Sequence, residues 1–86
     1  MILIREDVVV TLSAMDKQTR RELVRKGIYV LRSQYNSKKN CYMIVKATNG
    51  GGWSHFGSGW YITGTDAETK IDEIVSRDPI NYRKDN

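Results

Sequence analysis

Residues that could carry out covalent or acid–base chemistry are sparse in this chain. His55 is its one histidine and Cys41 its one cysteine. Nucleophilic catalysis needs a base held beside the nucleophile, and a structural zinc site needs four nitrogen or sulfur ligands. His55 and Cys41 meet neither requirement, so the expectation is a loop histidine and a buried strand cysteine. Gly52 and Gly57 have the spacing of a phosphate loop, but Ser58-Gly59 follows where that loop needs lysine and then serine or threonine. The segment also leads toward a strand instead of a helix, so hairpin turns are the expected use of these glycines. Glu68 and Asp72 lie four residues apart, but Asp66 faces Lys70 and Glu73 faces Arg77 at the same spacing. That is the pattern of a solvated helix surface. The expectation is therefore a protein that is not an enzyme, carries no metal or cofactor, and works by binding.

The cations give the strongest lead. The chain has a formal net charge of +4, and the charge is unevenly spread. Lys17 to Lys46 holds nine basic residues and one acidic residue, a net of +8, while Thr65 to Asn86 is net −2. On a helix, Lys17, Arg21 and Arg25 align, with Arg20 beside them, and Lys38 and Lys39 form a second cluster at a hairpin tip. Phosphates need lysine or arginine at the surface, and stacking needs aromatics nearby. Trp53 and Phe56 lie in a glycine-rich segment where a turn does not require large rings. Lys17, Arg20, Arg21, Arg25, Lys38, Lys39, Trp53 and Phe56 are thus the candidate nucleic-acid-binding residues. Trp60 and Tyr61, next to Ile62, are expected in the core. The alternative is a small protein-binding modulator, of the kind phages and mobile elements use against host enzymes, acting through the aromatic loop.

These residues need elements to position them. Residues 8–12 are β-branched and read as a buried strand. Ser13 is a candidate cap for a helix over 14–26 with a thin apolar stripe, and Gly27 would close it. Residues 28–34 and 41–47 read as paired strands around a polar hairpin loop. Both are apolar on both faces, as central strands are. Residues 53–56 and 60–63 read as a last hairpin. Thr65-Asp66-Ala67-Glu68 then has the form of a capping box for a helix that ends near Ser76 before Pro79. Ile80 and Tyr82 are expected to fold back onto the core, with residues 83–86 frayed.

The expected fold is α+β: a small antiparallel sheet, or an SH3-like barrel, with one helix after the first strand and one at the C-terminus. The Val-rich first strand, paired strands and aromatic-glycine hairpin resemble an SH3-like barrel, which implies nucleic-acid or protein binding. The order helix, three strands, helix over 13–76 resembles a double-stranded RNA-binding domain. That family has a lysine cluster at the start of its last helix, where this chain has Asp66 and Glu68. The strands and helix from Ile28 onward also resemble the sheet-type DNA-binding units of some integrases.

At 86 residues and 40% hydrophobic content the chain is expected to be a single domain, 1–86, with a thin stability margin. The first four apolar residues run into Arg5-Glu6-Asp7 without a cationic leader pattern, and no apolar run reaches the ~20 residues of a membrane span. A lone cysteine gives no sign of an oxidising compartment. The expectation is a cytoplasmic protein with nucleic acid or a host protein as partner, no membrane, and a homodimer as one form it could take.

Overall fold

A computed structural model describes residues 15–85. The strand expected at 8–12 and the cap expected at Ser13 lie outside the described residues. Helix α1, Lys17–Arg25, is capped by Asp16, whose carboxylate accepts the Thr19 N–H at 2.7 Å. The backbone and side-chain hydrogen bonds from Thr19 hold the Asp16 carboxyl below its ordinary value. The capping contribution is therefore complete above that ordinary value and is lost as pH falls through the lowered one. Gly27, at φ 84°, follows the helix in the left-handed region that glycine adopts without steric cost.

Four strands follow: β1, Tyr29–Asn36; β2, Cys41–Ala47; β3, Trp53–His55; and β4, Tyr82–Lys84. Helix α2, Gly64–Arg77, connects β3 to β4. The sheet order is β3-β2-β1-β4, with β1 and β2 in the centre, as their two-sided apolar pattern requires. Two expectations are corrected here. The sheet is open, so the SH3-like barrel is not formed. It is also mixed: β4 pairs parallel to β1, while the other pairs are antiparallel. A parallel partner needs a long crossover, and α2 supplies it.

The expected hairpin of 53–56 with 60–63 is likewise replaced. Both segments lie along β2 instead. Trp53–His55 pairs with Val45 to Ala47, the Phe56 N–H donates to the Ile44 carbonyl at 2.9 Å, and Tyr61 exchanges hydrogen bonds of 2.7 and 2.8 Å with Tyr42. The glycine-rich segment from Gly57 to Gly59 is an excursion from one interrupted edge. The exposed edge of β2 offers more backbone partners than a four-residue hairpin would.

The strand register divides the side chains into two faces. Leu31, Ser33, Tyr42 and Ile44 share one face, where α2 packs. Leu31, Ile44, Ala67 and Ile71 form the buried cluster there, with Phe56, Tyr61, Ile74, Val75 and Tyr82 around it. Val30, Val45 and Ala47 are buried on the other face, toward α1.

Helix α2 starts two residues earlier than expected. Thr63, not Thr65, is its cap, accepting the Asp66 N–H at 3.1 Å. Such a cap contributes about 1 kcal/mol. The tail also differs from the frayed end expected: Tyr82 to Lys84 pairs with β1, and the Asp85 N–H donates to the Leu31 carbonyl at 2.9 Å. Tyr82 packs on the core as expected, while Ile80 is exposed. Lys84 Nζ reaches Asp72 at 2.9 Å and Glu68 at 3.0 Å, fastening β4 to α2. Burial pulls the Lys84 pKa down, but hydrogen bonds and attraction from the two carboxylates outweigh it and raise the net value. This contribution is full below the ordinary lysine pKa and is lost as pH rises through the raised one.

Candidate nucleic-acid interface

The face opposite α2 is divided along its length. Near the start of β1, α1 covers it. Farther along, the rows Asp85–Arg32–Val45–His55, Gln34–Met43 and Asn36–Cys41 succeed one another, as the strand pairings place them. Among the described residues, no helix or strand lies over the last two rows.

At the boundary sits a cluster of charge and ring. Asp85 is the one buried charged residue among those described, its side chain 3% exposed. It accepts the Met15 N–H at 3.1 Å and lies 3.7 Å from Arg20 and 4.0 Å from Arg32. Arg20 also donates to the Met15 carbonyl. Both guanidinium groups lie over Trp53, Arg32 at 4.0 Å from the ring centroid and Arg20 at 5.3 Å. Arg20 is thus committed to Asp85 and Trp53, at 17% side-chain exposure, whereas Arg32 keeps 40% of its side chain in solvent.

A second cluster lies at the β3 margin of the same face. The Trp60 ring is 5.0 Å from that of His55, and Lys39 Nζ lies 5.4 Å from the Trp60 centroid. Trp60 is 42% exposed and His55 is exposed. The turn that presents Lys39 is well braced. Asn36 Oδ1 accepts the N–H groups of Lys38 and Lys39 at 3.0 and 3.2 Å, and the Tyr35 hydroxyl donates to Asn40 at 2.6 Å. Asn40 takes φ 51°, a conformation that asparagine tolerates better than most residues.

The cations expected to bind phosphate do not form one surface. Lys17 and Arg25 are exposed on α1, with Arg21 half-buried between them. Lys38 and Lys39 sit at the far end of the β1–β2 hairpin, beyond β1, an eight-residue strand about 25 Å long by strand rise. Arg32 stands between the two groups. Phe56 lies on the opposite face, in contact with Tyr29 and Tyr82 and packed on the core. Arg32, His55 and Trp60 are site residues that the local sequence pattern does not single out. The available signal was Arg32, a cation two positions from Val30 on one strand face. Among the described residues, no group of three or more His, Cys, Asp or Glu is placed to hold a metal ion, and no helix is long and apolar enough to cross a membrane.

No protein-family model, curated protein or solved structure matches the chain. The functional reading therefore rests on the two clusters.

Proposed function

We propose that this protein is a small basic nucleic-acid-binding module that uses the open half of the sheet face. The observation that carries this is the exposed Trp60 ring, with Lys39 over it and Arg32 on the same face. A hydrophobic ring left in water beside cations suits a ligand that is both flat and anionic. The α1 cations Lys17, Arg21 and Arg25 extend the positive field beyond the face, and the acidic side chains of α2 lie on the other side of the sheet.

Fluorescence anisotropy of labelled DNA and RNA oligonucleotides over a range of salt tests this. With about three to five phosphates contacted, log K should fall with log salt at a slope of about −2 to −4. Lys38→Ala with Lys39→Ala should make that slope shallower by about 1.4 to 1.8. Absence of binding at low salt would contradict the reading. It would then favour a protein-binding modulator, for which Ile62, 85% exposed two residues beyond Trp60, is the supporting observation.

A further inference from the structure

We infer that the ligand is a single strand whose unpaired bases stack on two platforms, Trp60 with His55 and the Arg32 plane over Trp53, and is not a duplex. This rests on the nucleic-acid reading and narrows it to one ligand class. Trp60 and His55 form a tilted aromatic pair at 5.0 Å, with Lys39 alongside. Arg32 lies over Trp53 at 4.0 Å, which sets its planar guanidinium on an aromatic base. Both kinds of plane accept a nucleobase by its flat side.

A duplex does not present flat sides. Its bases are stacked 3.4 Å apart and show only their edges in the grooves. Reading edges in the major groove takes an inserted helix or a two-stranded ribbon. Here the aromatic and planar groups stand instead on the body of a four-stranded sheet and its margin. The platform spacing points the same way. The first platform is seated on Trp53, which shares one face of β3 with His55 two residues away, about 7 Å by strand rise. That is about twice the rise of a stacked nucleotide, so bases on the two platforms are not stacked directly on each other, as in an extended chain. In the next row of the same face Met43 supplies an apolar floor and Gln34 an amide that can donate and accept, both half-buried.

The test is equilibrium binding of the full chain to a fluorescein-labelled 12-nucleotide single strand and to the same strand annealed to its complement, at one salt concentration. The single strand should bind at least about tenfold more tightly. Trp60→Ala should weaken its binding by about tenfold or more and leave duplex binding unchanged. Trp60→Phe keeps a stacking ring and removes that indole, so it should retain most of the affinity while losing most of the fluorescence quenching caused by the single strand. Far-UV circular dichroism of both variants establishes that they are folded, and Arg32→Ala provides a second disruption away from Trp60. Equal or tighter duplex binding, or an unchanged single-strand affinity in folded Trp60→Ala and Arg32→Ala, would overturn this inference while the broader reading stands. Binding to neither form would overturn both, and concentration-dependent self-association lost in Trp60→Ala would assign the face to a second copy of the chain.

Discussion

Asp85→Ala is expected to destabilise the fold by about 2–3 kcal/mol, although the residue lies one position from the end of the chain. Its carboxylate is buried, accepts the Met15 N–H, and faces both Arg20 and Arg32. Removing one partner from a buried ion pair costs about 3–5 kcal/mol, because the remaining charge loses its compensation. The expected loss is smaller here because Arg32 is 40% exposed and can recover water, while Arg20, at 17%, can do so much less. In a domain of this size 2–3 kcal/mol lowers Tm by roughly 10–20 °C. Asp85→Asn keeps an acceptor for Met15 and should fall between the two. Thermal unfolding followed by circular dichroism measures this, and a change below about 0.5 kcal/mol for Asp85→Ala would show that the cluster does not hold the tail.

Leu31→Ala should have the largest effect on stability, about 2–5 kcal/mol. Leu31 is fully buried in the cluster with Ile44, Ala67 and Ile71 that joins the sheet to α2. Its truncation removes apolar contacts and leaves a cavity that two rigid elements cannot close. The total stability of a chain this long is about 4–13 kcal/mol, so at the low end the variant would not fold. Urea titration should show a lower midpoint with an unchanged slope. Ile62→Ala is the control, since an exposed side chain should change stability by no more than about 0.5 kcal/mol.

The elements that were legible in the sequence are those with local signals. Cys41 to Ala47 is a strand with the expected bounds because a short, nearly continuous apolar run and β-propensity agree there. Gly27 and Pro79 mark the ends of the two helices through their own backbone restrictions. What was not legible depends on partners distant in sequence. Residues 83–85 look like a polar tail until Lys84 meets Glu68 and Asp72 and Asp85 meets Arg20 and Arg32. Trp60 sits beside Tyr61 and Ile62 in what reads as a core strand, yet the Gly57–Gly59 excursion turns its ring outward while Tyr61 packs inward. The cationic sector was legible as composition only. Its division between α1, the hairpin tip and Arg32 follows from the sheet register, which local periodicity does not encode.

In the proposed function the ligand lies on the open half of the sheet face. An amide chemical-shift titration of the nitrogen-15-labelled chain with a 12-nucleotide single strand tests it most directly. Arg32 to Asn36, Lys38 to Met43, His55 and the Trp60 indole N–H should shift, while the amides of α2 stay in place. Shifts confined to α2 or to Lys17–Arg25, with the sheet unmoved, would contradict it.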